Sequence, residues 1–191
     1  RYNLTTLSVS SFETLKLTDV SSMFAASGPI NNVNLSSFDA SHITNTSFMF
    51  GSSNAKNVNI SGWNFASATS LAGMFSGASK LESVNLANVD TSNVTNMSGM
   101  FSGCSKLENL DLSSFDISNA TDLGGMLSGV QYLQTLDISG WDFAKYNPGS
   151  LMMYISGGGF SSLQTFILDN VKFPANMNYG LGGLSTVEEI S

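Results

Sequence analysis

Charge is scarce in this chain. Asp, Glu, Lys and Arg make up 11% of its 191 residues, against about 25% in an ordinary soluble domain. Lys and Arg number only 7, and the net charge is −7. That balance argues against nucleic-acid binding, which neutralises phosphates with basic side chains. It argues equally against attachment to an anionic bilayer surface. Long apolar runs are missing as well. Hydrophobic residues reach 42%, but they are dispersed, and no run approaches the ~20 residues of a membrane-spanning helix. Cysteine is nearly absent. Cys104 stands alone, so no internal disulfide forms, and stability must come from packing. His42, the only histidine, lies in a loop-like Ser41-His42 without the companions of a catalytic triad or a metal set. A secretory signal is also missing. The chain opens with Arg1 rather than Met and is expected to be an excised piece of a longer protein, so the compartment is not readable from a targeting segment.

What the chain does contain is repetition. Leu107-Glu-Asn-Leu110-Asp-Leu112-Ser-Ser-Phe115-Asp116 matches Leu4-Thr-Thr-Leu7-Ser-Val9-Ser-Ser-Phe12-Glu13 at every apolar position. Copies begin at residues 4, 30, 55, 81, 107, 133 and 163, with a partial eighth from 184, at spacings of 26, 25, 26, 26, 26, 30 and 21. A fixed period in this range marks a solenoid, in which each unit buries its apolar edge against its neighbours. Residues 1–191 are therefore expected to form one elongated repeat domain without a linker. The four-residue insert falls at Tyr146–Gly159.

Within a unit, Leu110-Asp111-Leu112 alternates inward, outward, inward, which reads as a very short strand. Stacked once per coil, these trios predict a parallel sheet with rungs about 4.8 Å apart. An aromatic or Val column follows (Phe12, Phe38, Trp63, Val89, Phe115, Trp141, Val171) and is expected to be core. Val94, Met97, Met100 and Phe101 then recur at helical spacing, predicting a short helix or helical turn on the far side. The Met stripe repeats with the core and reads as filling rather than as a metal site. Thr18, Thr44, Thr69, Thr95 and Thr121 precede it and are expected to cap its amides. Cys104 shares a column with Ala78 and Val130, which predicts a buried, inert thiol.

Val94-Thr-Asn-Met97-Ser-Gly-Met-Phe101-Ser-Gly-Cys104-Ser-Lys-Leu107-Glu-Asn-Leu110 resembles the repeat of BspA-like leucine-rich repeat surface proteins, over approximately residues 4–175. The resemblance implies an α/β solenoid: a leucine-rich-repeat-like coil with short parallel strands on one side and short helices or helical turns on the other. It implies an exported bacterial or protist surface protein, a piece of a larger chain, that attaches to host matrix or to other cells. It supplies no catalytic residues. One departure stands out. The Asn that follows the strand in ordinary leucine-rich repeats is replaced here by Phe, Trp or Val, so Ser113-Ser114-like pairs and the following Asp must satisfy the turn amides.

The most regular exposed surface is the outward side of the strands. One column runs Ser8, Asn34, Asn59, Asn85, Asp111, Asp137, Ile167; flanking ones run Thr6, Asn32, Asn57, Ser83, Asn109, Thr135, Thr165 and Ser10, Ser36, Ser61, Ala87, Ser113, Ser139, Asp169. Such a face is either a set of amide and hydroxyl ladders that tie rung to rung, or a recognition surface for a protein or glycan. The partner-binding candidates are Asn34, Asn57, Asn59, Asn85, Asn109, Asp111 and Asp137. A carboxylate column, Glu13, Asp39, Asn64, Asp90, Asp116, Asp142, Lys172, lacks any calcium motif and is expected to cap turns. Gly157-Gly158-Gly159 lacks the Lys-Ser/Thr of a phosphate loop. No cofactor, catalytic group or metal site is expected. The leading expectation is a non-enzymatic, extracellular or cell-surface adhesion module. The alternative is a spacer or an end-to-end fibre subunit, since the stack shows no capping segment at either end and neighbouring copies could meet there.

Overall fold

The computed structural model describes residues 4–9, 16–145, 160–173 and 189–190. They form a parallel-strand β-solenoid. Its strands are β1 (Thr6–Ser8), β2 (Asn32–Asn34), β3 (Asn57–Asn59), β4 (Ser83–Asn85), β5 (Asn109–Asp111), β6 (Thr135–Asp137), β7 (Thr165–Ile167) and β8 (Glu189–Ile190). Consecutive strands pair in parallel within β1–β4 and within β5–β8. Equivalent residues lie opposite one another, as in Val33↔Val58↔Val84 and Leu110↔Leu136↔Phe166. The last rung departs from the repeat: Ile190 lies opposite Phe166, where the period places Val187.

Each of β1–β7 starts one residue before its trio and ends at the trio's outward residue. The inward residues on either side of that position are buried, as with Val58 and Ile60 or Leu110 and Leu112. A slip of one residue would turn this apolar row to solvent, so burial pins the register. The strand ends at the outward residue because the chain turns there, with one more rung bond from the next amide, as from Leu35 to the Asn59 carbonyl and from Leu112 to the Asp137 carbonyl, both at 2.8 Å.

The far side contains no helix among the described residues, which corrects the α/β expectation. Consecutive tight turns run there instead. In the third coil Met74, Ser76 and Ala78 donate their amides to the carbonyls three residues back. The intervening Gly73, Phe75 and Gly77 donate to Ser98, Met100 and Ser102 of the next coil at 2.7–2.9 Å. The physical cause is a left-handed residue every four positions, which is glycine in the third to fifth coils. Gly73, Gly77, Gly99, Gly103, Gly125 and Gly129 all hold φ between +61° and +77°. That conformation breaks an i→i−4 ladder and turns alternate amides along the stack. Ser22, Ala26, Phe48 and Ser52 adopt the same conformation in the first two coils. The inward apolar spacing survives, so Leu71, Met74, Phe75 and Ala78 are all buried. The Thr column caps no helix: Thr44, Thr95 and Thr121 direct their hydroxyls to the carbonyls of Thr18, Thr69 and Thr95, at 3.1, 3.0 and 3.1 Å.

The interior is one continuous apolar cluster. Phe24, Phe50, Phe75 and Phe101 stack through four coils with ring centres 5.1, 5.1 and 5.3 Å apart and planes within 12°. Phe38, Trp63, Val89, Phe115 and Trp141 are buried as expected; Phe12 lies outside the described residues. The indole N–H groups of Trp63 and Trp141 reach back to the carbonyls of Leu35 and Leu112, at 2.8 and 3.0 Å. Cys104 is fully buried between coils, its Sγ 3.2 Å from the Phe75 carbonyl. Burial pushes its thiol up to about 12. The insert 146–159, with Pro148 and the glycine run, lies outside the described residues.

Candidate functional site

The strand face is built by two columns that do different work. In the column before the buried residue, side chains bond along the stack. Asn57 Nδ2 donates to Asn32 Oδ1 at 2.8 Å, and Ser83 Oγ donates to Asn57 Oδ1 at 2.7 Å. In the column after it, side chains bond locally. Asn34, Asn59 and Asn85 accept, through Oδ1, the amide two residues on, at 3.2, 3.0 and 3.1 Å. Asp111 and Asp137 accept the amides of Ser113 and Ser139 at 2.9 and 2.8 Å. These are Asx turns, in which a side-chain oxygen takes a main-chain donor that the corner leaves unpaired. The Ser36, Ser61, Ser113 and Ser139 column therefore supplies the amides for these turns rather than a third strand position. Ser10 lies outside the described residues.

Asx turns also make the other corners of the coil. Asp39, Asp90, Asp116 and Asp142 accept amides two residues on at 2.7–2.9 Å, as do Asp19, Asn45, Asn96 and Asp122 at 2.8–3.1 Å. The hydroxyl and amide of Ser21 hold the Asp19 carboxyl below its ordinary value, and those of Ser41 do the same for Asp39. The Ser92 amide lowers Asp90; the Ala144 amide, followed by Lys172, lowers Asp142. Lys172 Nζ also sits 3.0 Å from Asp142 Oδ2. The carboxylates are thus spent on turns, and no group of three metal-ligating side chains is present among the described residues. Glu13 lies outside them.

Of the seven sequence-predicted site residues, four come together. Asn34, Asn57, Asn59 and Asn85 line a shallow open concavity of about 360 Å³ over β2–β4, with Asn32, Ser83 and a floor of Val33, Val58 and Val84. Asn109, Asp111 and Asp137 lie beyond it on the second sheet. The boundary is physical. The amides of Leu86, Glu108 and Asn109, whose equivalents in other coils donate across the rung, make no such bond. Behind the sheet the stack stays closed, with Met97, Gly99 and Phe101 donating to Asp122, Gly124 and Met126 at 2.8–2.9 Å. Val84 beside the gap is only partly buried, whereas Val33 and Val58 are buried.

Sequence reasoning missed the edge next to the strand starts. Glu82, Lys106, Glu108 and Tyr132 line a depression of about 320 Å³. Gly28, Pro29, Asn31, Asn54, Lys56 and Lys80 line another of about 420 Å³. The signal was available: Lys80, Lys106 and Tyr132 close successive repeats, and Lys56 pairs with Glu82 one coil on at 3.1 Å. His42 is exposed. Among the described residues no helix is long and apolar enough to cross a membrane.

Searches of curated proteins and of solved structures found no significant match. One family model matches twice, over residues 2–86 and 69–184, and the two overlapping matches span nearly the whole repeat array. On that coverage the chain belongs to the family described as Mycoplasma protein of unknown function, DUF285.

Proposed function

We propose that this chain is a non-enzymatic binding and adhesion module of a cell-surface protein. It presents its parallel-sheet face to a protein or glycan on a host or neighbouring cell. The observation that carries this reading is the concavity over β2–β4, where Asn34, Asn57, Asn59 and Asn85 converge on a rigid ladder. A solenoid of this kind displays many identical groups at fixed spacing, which favours an extended partner. The carboxylates support the reading by their use. They are individually tied to turn amides rather than set against one another as an acid–base pair. The resemblance to BspA-like surface proteins points the same way and supports an extracellular setting.

The test is capture on immobilised matrix proteins and on a glycan array. Ser83→Arg with Asn109→Arg lays two long side chains across the exposed face without touching a turn cap. This double variant is expected to lose capture while staying folded, its stability lowered only by the one Ser83 Oγ–Asn57 Oδ1 bond it removes, about 1 kcal/mol. Undiminished capture would clear the face of the role.

A further inference from the structure

The outward column that caps the strand-end turns changes chemistry along the stack. It is Asn at residues 34, 59 and 85 and Asp at residues 111 and 137. Both residue types perform the same structural task, because only Oδ1 is used. What differs is the second terminal atom. In Asn34, Asn59 and Asn85 it is an Nδ2 group with no hydrogen-bond partner among the described residues, a donor left to solvent. In Asp111 and Asp137 it is a charged acceptor. The change coincides with the interrupted ladder between β4 and β5 and with the limit of the concavity. Two features therefore mark off the same surface: the change of residue type, and the ladder break that ends the concavity.

The chemistry of that surface selects its occupant. A row of uncharged donors about one rung, ~4.8 Å, apart calls for a chain of acceptor oxygens. Anionic chains are disfavoured by the net charge of −7 and by Asp111 and Asp137 beside the row. Cationic chains would favour the Asp half over the Asn half. A polypeptide would need a free strand edge to pair with, or pockets for side-chain anchors. This is a sheet face, and its lining includes none of the large apolar residues exposed among the described residues, which are Leu4, Met23, Phe48, Tyr132 and Phe173. A neutral hydroxylated chain remains, its acceptor oxygens matched to the amide donors of the row.

We infer that the β2–β4 concavity is a binding site for a neutral glycan, gripped by the free Nδ2 donors of Asn34, Asn59 and Asn85. This inference rests on the binding reading above and narrows it to one ligand class and one half of the face. Two variants isolate the donors. Asn34→Asp, Asn59→Asp, Asn85→Asp keeps the caps, as Asp111 and Asp137 do. Asn34→Ser, Asn59→Ser, Asn85→Ser keeps them without added charge, as Ser70 does through its Oγ 3.2 Å from the Ala72 amide.

The probes are immobilised neutral hexose and N-acetylhexosamine oligomers, with sulfated and sialylated glycans and collagen as comparators. The parent is expected to retain the neutral oligomers. Both triple variants are expected to weaken binding by about tenfold or more, about 1.4 kcal/mol or above, with melting unchanged in the Ser variant, which adds no charge. Asp111→Asn with Asp137→Asn is expected to leave binding unchanged. Full binding by both triple variants, weakening by the Asp→Asn double variant, or retention of only the charged glycans or collagen would overturn the assignment. The Ser83→Arg, Asn109→Arg variant separates the two levels. If it blocks capture of whatever is retained, the face still binds and only the neutral-glycan assignment falls. If it blocks nothing, both readings fall.

Discussion

Gly103→Ala tests the architecture of the far side, because the two ways of building that side predict opposite signs. Gly103 holds φ +76°. An alanine there meets the left-handed penalty of about 1–2 kcal/mol. Its Cβ would also sit 3.4 Å from Gly77 Cα and 3.5 Å from Gly77 N, at the close edge of ordinary contact. Alanine's smaller unfolded-state entropy returns about 0.4–1 kcal/mol. The net expectation is a loss of about 1 kcal/mol. Were the segment a helix, the same substitution would gain about 0.8–1 kcal/mol in propensity. Ser52→Gly is the mirror experiment in the same column, since Ser52 holds φ +52°. It is expected to gain about 1 kcal/mol by the same comparison. For a chain of this size 1 kcal/mol corresponds to roughly 2–4 °C in Tm. Thermal unfolding of both variants beside the parent is the assay. A higher Tm for Gly103→Ala together with a lower one for Ser52→Gly would refute the turn architecture.

The Cys104 thiol, buried and raised to about 12, is expected to resist alkylation at pH 8 in the folded protein and to react fully in denaturant; stoichiometric labelling of the native chain would contradict its placement. The carboxyls of Asp19, Asp39, Asp90 and Asp142 are held below the ordinary aspartate value of 3.8 in the folded chain. Their contribution is therefore present above 3.8 and lost as pH falls through the lowered folded values. The urea midpoint is expected to decline on acidification through that window, and a flat profile would remove the turn carboxylates from the account. Phe75→Ala removes a ring stacked on both sides and is expected to cost about 3–5 kcal/mol. Phe24→Ala, at the partly buried end of the same stack, is expected to cost less, and equal losses by denaturant titration would contradict the stack.

The inward columns were legible because burial repeats with the period. Leu110 and Leu112, Met97 and Phe101, and Cys104 lie where their spacing put them. The helix was misread because inward positions three, three and one residue apart fit a helix and a chain of tight turns equally well. The discriminating signal was glycine recurring four residues apart at Gly73/Gly77, Gly99/Gly103 and Gly125/Gly129, where the backbone is left-handed. It was blurred in the first coils, where Ser22, Ala26, Phe48 and Ser52 take that conformation without glycine. The site residues were legible as a column, but their division of labour was not. Which atom of Asn59 is consumed depends on the turn at Ser61, and that follows from local dihedral angles rather than from the period.

A stack that ties nearly every polar column to itself constrains where function can reside. Asn93 and Asn119 reach back to the Ala66 and Ser92 carbonyls. Thr95 and Thr121 bond the preceding coil, and Asn57 bonds Asn32. Such atoms hold the coils in register, and changing them alters the fold before it alters recognition. An atom is free to evolve toward a ligand only if its residue meets the structural demand with another atom. Asn34, Asn59 and Asn85 satisfy that condition, with Oδ1 tied to the turn and Nδ2 left over. Interchange of Asn and Asp at this column keeps the turn cap but reverses the surface from donor to charged acceptor. The same scaffold can thereby present different ligand preferences along its length without altering a single buried residue.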